Sequence, residues 1–173
     1  MARASDRMVS ASSPEIVGSN KREIFVVERL PNGRVQVELY DYKDGGRGDL
    51  LLKRTFLPNE TKEIRLFGLG GDDIFQISGE VEESILVRVI GGKNDDFIED
   101  QSVVSGAKFL TKVYDTPFRD SVVTSKETQL LSPKRKVKYD PLGFNYNSLV
   151  PFPKFRISSG NGFGIQLEAT VRR

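Results

Sequence analysis

The sequence predicts an all-β protein in which hairpins pack on a short β-solenoid or β-roll-like stack, followed by one barrel-type strand. A β-sandwich is the alternative arrangement of the same strands. Three observations carry this expectation. Apolar and polar residues alternate with period two through the hydrophobic segments, and no stretch longer than eight residues shows helical periodicity with caps. The runs IRLFGLGGDDIF (residues 64–75) and VRVIGGKNDDFI (residues 87–98) share a strand-like start, a glycine turn and paired aspartates at an offset of 23 residues. A repeat of that size matches one coil of a parallel stack. Finally, FGIQLEATVR (residues 163–172) alternates without error over its whole length.

The elements follow in chain order. Residues 1–19 are polar and serine-rich and read as a tail or linker. Residues 20–120 read as the all-β domain. In REIFVVERL-PNG-RVQVELY, Val35, Val37 and Leu39 alternate with Gln36 and Glu38, and Asn32-Gly33 supplies the turn of a hairpin. DYKDGGRGD (residues 41–49) reads as a loop, LLLKRTF as a third strand, and Pro58-Asn59 as its end. The two repeats follow, with Ile64 and Leu66, then Ile85, Val87 and Val89, as inward-facing sets. LTKVYDT (residues 110–116) is a fainter third copy, keeping the offset of 23 for Leu110 and Val113 but lacking the two glycines. Residues 121–173 read as a connector and a first barrel-like strand. Its basic run SPKRKVKYD is expected to be a solvated connector, with a phosphate- or headgroup-binding patch as the sharper alternative. In the terminal strand Phe163, Ile165, Leu167, Ala169 and Val171 alternate with polar or small residues, the pattern of an outer-membrane strand or of a half-buried strand in a soluble sheet.

Composition narrows the chemistry. The 173 residues include 26 Lys+Arg and 24 Asp+Glu, a net charge of +2 that gives no argument for nucleic acid. There is no cysteine and no histidine, so disulfides, cysteine nucleophiles and histidine-based triads or zinc sites are excluded within this chain. MARASDRMVSASS has no apolar central region and does not read as a signal peptide. No run of ~18 apolar residues suggests a membrane helix. A location outside the cytoplasm therefore requires that the chain be part of something longer.

The glycine–aspartate corners have two readings. In the structural one, Gly68, Gly70, Gly71, Gly91 and Gly92 provide the positive φ angles of sharp corners, and Asp72-Asp73 and Asp95-Asp96 close the turns through their own backbone. In the functional one, Asp72, Asp73, Asp95 and Asp96, with Asp100 and glycine-turn carbonyls, converge on calcium as hard oxygen ligands. The corners are similar to the GGxGxD turns of calcium-binding β-roll proteins. Those turns recur every nine residues, however, and Lys93 falls where a cation would want a small or acidic residue. The paired acids do not suit glycoside hydrolysis, because adjacent residues point to opposite faces of a strand. GLGG lacks the Lys-Ser/Thr and the helix of a phosphate cradle.

Over residues 16–173 the chain resembles a known region of larger proteins. The carrying stretches are VVERLPNGRVQVELYDY, RTFLPNETKEIRLFGLGGDDIFQISG, VRVIGGKNDDFIED and KVYDT, with FNYNSLVPFPKFRISSGNGFGIQLEATVRR after them. They resemble the β-rich region before the barrel in cell-envelope proteins of Bacteroidetes-type bacteria. Those proteins combine a calcineurin-like phosphoesterase with a bacterial surface antigen barrel. The resemblance implies a place in the bacterial cell envelope, in the periplasm or outer membrane. It implies neighbouring domains and a barrel as partners, membrane contact only through that barrel, and no nucleic acid. It implies no catalytic residue, because the phosphoesterase metal ligands include histidines that this chain lacks. The expected function is a non-enzymatic spacer or scaffold module, with calcium as the candidate stiffening ion. The alternative is a carbohydrate-binding or carbohydrate-cleaving β-solenoid, which calls for aromatics and acids in rows on the surface.

Overall fold

Strands form where alternate residues can all reach one core, and the computed structural model describes them over residues 12–114 and 121–131, with the backbone of 148–158 and 162–172. Among the described residues there are fifteen strands and no helix, so the protein is all-β. The N-terminal residues 1–11, the basic run SPKRKVKYD and the Asp115-Thr116 end of the third repeat copy lie outside the described residues.

A first turn of chain contains β1 (Glu15–Val17) and β2 (Glu23–Arg29). The meander of β3 (Val35–Lys43) and β4 (Gly46–Phe56) follows. The second turn is β5 (Glu63–Gly70), β6 (Ile74–Ser78) and β7 (Glu80–Val81). The third is β8 (Leu86–Lys93), β9 (Phe97–Asp100) and β10 (Val103–Val104). These two turns lie on one another strand by strand, all in parallel. Ile64 pairs with Val87, Ile74 with Phe97, and Glu80 with Val103, each at the offset of the sequence repeat. The first turn stacks in the same sense across a longer stretch of chain, because the meander is inserted between them. Ile16 pairs with Leu66 and Phe25 with Phe75.

The stack continues through β11 (Thr111–Tyr114), β12 (Ser121–Val123) and β13 (Thr128–Leu131), which pair in parallel with β8, β9 and β11 respectively. The result is one five-stranded sheet, β1-β5-β8-β11-β13, and one six-stranded sheet, β12-β9-β6-β2-β3-β4. Ile64, Leu66, Val87, Val89 and Val113 of the first share a core with Phe25, Val27, Phe75, Ile77 and Ile98 of the second. Phe25 and Phe75 stack at 4.6 Å between ring centres. Each such burial contributes about 1.5–3 kcal/mol, and the equal spacing makes every inward residue cover the one below it.

Three expectations are corrected. The third repeat copy does not keep the repeat offset: Thr111 stacks on Val87 and Val113 on Val89, a register longer by a single position. A one-residue slip exchanges the faces of a strand, and only this register puts Val113, which is 1% exposed, into the core. Residues 41–49 are not a loop: β3 and β4 run through them to a two-residue turn at Asp44-Gly45, whose φ values of 50° and 86° match a type I′ hairpin. The domain limits at 19/20 and 120/121 move outward, because β1 pairs with β5 and both β12 and β13 belong to the stack. The hairpins join the stack by edge pairing, since β2 bonds β6 on one side and β3 on the other.

The chain divides into two compact units, Met1–Val137 and Lys138–Arg173. The second contains a hairpin of β14 (Ser148–Ser158) and β15 (Gly162–Arg172), eleven residues each, paired antiparallel along their whole length. The predicted terminal strand is therefore half of a two-stranded element. Its register sets positions 163, 165, 167, 169 and 171 opposite 157, 155, 153, 151 and 149. All ten residues at these positions are apolar: Phe163, Ile165, Leu167, Ala169 and Val171 with Ile157, Phe155, Pro153, Pro151 and Leu149.

Candidate functional site

The corners between β1 and β2, β5 and β6, and β8 and β9 stack on one another. Each begins with a glycine and ends, five residues later, with an acid: Gly18 and Glu23, Gly68 and Asp73, Gly91 and Asp96. The pairs Phe67–Ile90 and Leu69–Gly92 bracket Gly68 and Gly91 and set them in register on adjacent turns. The three acids are buried, at 5%, 0% and 2% exposure respectively.

Their carboxyls form a ladder to the backbone. Asp96 Oδ1 accepts the Asp73 N–H at 2.9 Å, and Asp73 Oδ1 accepts the Glu23 N–H at 2.8 Å. Glu23 closes the end of the column, accepting from the Ser19 N–H and hydroxyl. Each acid thus satisfies a backbone donor that the corner takes out of the sheet ladder. Asp72 and Asp95 lie on the exposed side, where the Asp95 N–H donates to Asp72 Oδ1 at 3.3 Å.

The glycines divide into two roles. Of the five expected at positive φ, only Gly71 (119°) and Gly92 (116°) have it; their stacked counterparts are Asn94 (78°) and Leu69 (73°). Gly68 is required for a different reason. A Cβ there would fall on Asp73 Oδ2 and on the Gly91 carbonyl oxygen. The carboxyl ladder can pass so close to the chain only where there is no side chain.

Asp73 has the most perturbed environment. Burial pushes its carboxyl up to about 8, opposed by the Glu23 N–H hydrogen bond and reinforced by the negative charges of Asp96, Glu23 and Asp72.

Asp100, the fifth candidate ligand, sits at the far end of β9 in a different network. Its Oδ1 accepts from the Ser102 N–H and hydroxyl, and its Oδ2 from the Thr128 hydroxyl at 2.8 Å. The structure therefore brings Asp73 with Asp96, and Asp72 with Asp95, but not Asp100 with either pair. Among the described residues, no group of three or more His, Cys, Asp or Glu is placed to hold a metal ion.

Arg29 organises that second network and carries no signal of its own beyond lying in phase with inward Phe25 and Val27. It is 2% exposed. Nε donates to Ser102 Oγ, one terminal nitrogen to Ser84 Oγ and the Ile85 carbonyl, and the other to the Leu110 carbonyl and Thr111 Oγ1. Burial lowers its pKa, while the Asp100 and Glu127 carboxylates work the other way. A residue of the first turn thereby ties together the end of the second turn, the end of the third and the start of β11. Glu23, the other residue missed, had a legible signal: it repeats the glycine-to-acid spacing of five.

On the outer face of the five-stranded sheet, Glu63 accepts from Arg65 and from Arg88 at 2.7 Å. Burial disfavours its ionised form, but the hydrogen bonds from Arg88 and Arg65 outweigh that and hold its pKa below the usual carboxylate value. On the outer side of the six-stranded sheet one cross-strand row runs Leu50, Tyr40, Ile24, Ile74, Phe97. Comparison with protein-family models, curated proteins and solved structures finds no match for this chain.

Proposed function

We propose that the chain is a non-enzymatic spacer or scaffold module of an outer-membrane barrel protein, on its periplasmic or surface side, with a short β-solenoid as its body. The observation that carries this reading is the common register of three ladders in succession, each at the repeat offset. Such stacking makes length by repetition, and Asp73 and Asp96 at its corners are engaged by backbone donors of the neighbouring turn rather than turned outward for chemistry. The β14–β15 hairpin supports the barrel side of the proposal. Its strands have the nine-to-eleven-residue length of membrane-crossing β-strands, and every second pair along the ladder is apolar in sequence. Two strands do not close a barrel, so the reading requires more of them. Sequencing the gene on both sides of this segment tests it: further alternating strands downstream are expected, and their absence ends the barrel clause.

Calcium is a separable part of the proposal, with Asp72 and Asp95 on the exposed side of the corners as its first contacts. Thermal melts with millimolar calcium test it. Binding to the folded state alone, at 100 times the dissociation constant, adds about 2.7 kcal/mol; an unchanged melting temperature removes the ion and leaves the spacer.

A second reading, carbohydrate binding, has one observation in its favour. The Tyr40–Phe97 row has beside it a second row, Glu38, Val26, Gln76, Glu99, so aromatic and acidic residues share one sheet face although they do not recur at the repeat offset. A glycan array without hits retires it.

A further inference from the structure

Between two fixed points the third turn of the stack has one residue more than the second. Glu80 pairs with Val103 and Val81 with Val104, but Val87 pairs with Thr111. Residues 105–110 therefore cover the interval that residues 82–86 cover in the turn below, six against five. The ladder holds as far as Gly106, whose N–H donates to the Glu82 carbonyl, and resumes where the Val87 N–H donates to the Leu110 carbonyl. In between, the two segments cannot match residue for residue. A cavity of about 370 Å³ lies there, lined by Glu82, Glu83, Ser84, Gly106, Ala107 and Leu110. Phe109, in the longer segment, takes a left-handed φ of 61° and is 47% exposed.

Arg29 fixes both walls. Its guanidinium donates to Ser84 Oγ and the Ile85 carbonyl on one side, and to the Leu110 carbonyl and Thr111 Oγ1 on the other, while Nε donates to Ser102 Oγ. All five N–H groups of the arginine are thereby used, and Asp100 and Glu127 face its charge. The charge that the cavity presents is therefore that of Glu82 and Glu83. Both are exposed, and among the described residues neither takes part in an ion pair. Exposed Glu80 adds to them, against one cation in the facing segment, Lys108.

We propose that this cavity receives a lysine or arginine side chain from a basic segment of a partner protein. The aliphatic stem packs on Ala107 and Leu110, and the cationic head meets Glu82 and Glu83. The volume suits one side chain, being near the lower end of the roughly 300–1,000 Å³ of small-ligand sites. Val103 and Phe109, 48% and 47% exposed on the same turn, extend the apolar surface beyond what a free amine covers, so the partner is a polypeptide.

The test is an amide NMR titration of the 173-residue chain with the peptide acetyl-Gly-Lys-Lys-Gly-amide, beside n-butylammonium and acetyl-Gly-Glu-Glu-Gly-amide. Saturable shifts are expected at residues 82–85 and 106–111 with the lysine peptide, weaker binding with n-butylammonium, and none with the glutamate peptide. Glu82→Gln combined with Glu83→Gln is expected to weaken binding about fivefold. Asp44→Asn combined with Asp49→Asn removes the same charge at the tip of the β3–β4 hairpin and is expected to leave the affinity unchanged. The proposal is overturned by an absence of shifts, by shifts spread over the whole acidic surface, by an equal loss in the hairpin variant, or by n-butylammonium binding as tightly as the peptide. The shift map of the unsubstituted protein decides the matter even if a variant does not fold. None of these outcomes bears on the spacer reading.

Discussion

At Gly71 the backbone combines a positive φ of 119° with a contact that leaves no room for a side chain, since a Cβ would strike the Lys21 carbonyl. Gly45 separates the two effects. Its φ is 86°, but nothing lies within 4 Å of where its Cβ would be. Gly45→Ala is therefore expected to cost only the left-handed backbone strain, about 1 kcal/mol. Gly71→Ala adds a collision with the neighbouring turn and is expected to cost about 3 kcal/mol or more. Urea unfolding of both variants checks the contrast, and equal losses would mean that the corners are not packed against each other. Leu69 and Asn94 take the same left-handed conformation at the stacked positions, so it is the corner geometry that recurs rather than the glycine.

The strands differ in how much of their apolar content is structural. β4 is the outer strand of its sheet, and Leu50 and Leu51 on it are 51% and 54% exposed, Leu51 being the residue left unpaired at a register shift against β3. Such a bulge, together with Arg47, Lys53 and Arg54, is how edge strands avoid pairing with other chains. Leu66 on β5, fully buried between the two sheets, is in the opposite situation. Leu50→Lys and Leu51→Lys are expected to change stability by less than about 0.5 kcal/mol, and Leu66→Ala to cost about 2–5 kcal/mol. Denaturant midpoints of the three variants measure this, and a large loss at Leu51 would place β4 inside the core rather than at its edge.

For the molecule as a whole, stacking implies modularity within the first unit. Residues 63–85 form one complete turn, and Glu63 pairs with Leu86, the first residue of the next. A second copy of residues 63–85 placed between Ile85 and Leu86 therefore meets the same junction at both ends. The enlarged protein is expected to unfold in one transition, with a denaturant slope raised in proportion to the added buried surface. An unchanged slope, with the inserted copy cleaved by protease, would show that the turns are not interchangeable layers.

Leu66, Val87 and Val89 were legible in the sequence as inward residues, and Asp73 and Asp96 as corner residues, because period-two alternation and equal spacing are local, additive signals. The Asn32-Gly33 hairpin was legible for the same reason. Asp44-Gly45 is an equally local turn signal, set among charged neighbours that give the stretch the composition of a loop. Other features had no local signature. The longer register of β11 depends on which residue of a neighbouring turn Val113 must cover. Arg29 is one arginine among many until four turns of chain close around it, and β14 becomes a strand partner only once β15 folds back along it. Side-chain periodicity is enough for the all-β class, the repeat and the faces of most strands, because it is written residue by residue along the chain. The pairing partners, the buried polar networks and the burial of Asp73 arise on folding, since they depend on residues brought together from 23 to 82 positions apart.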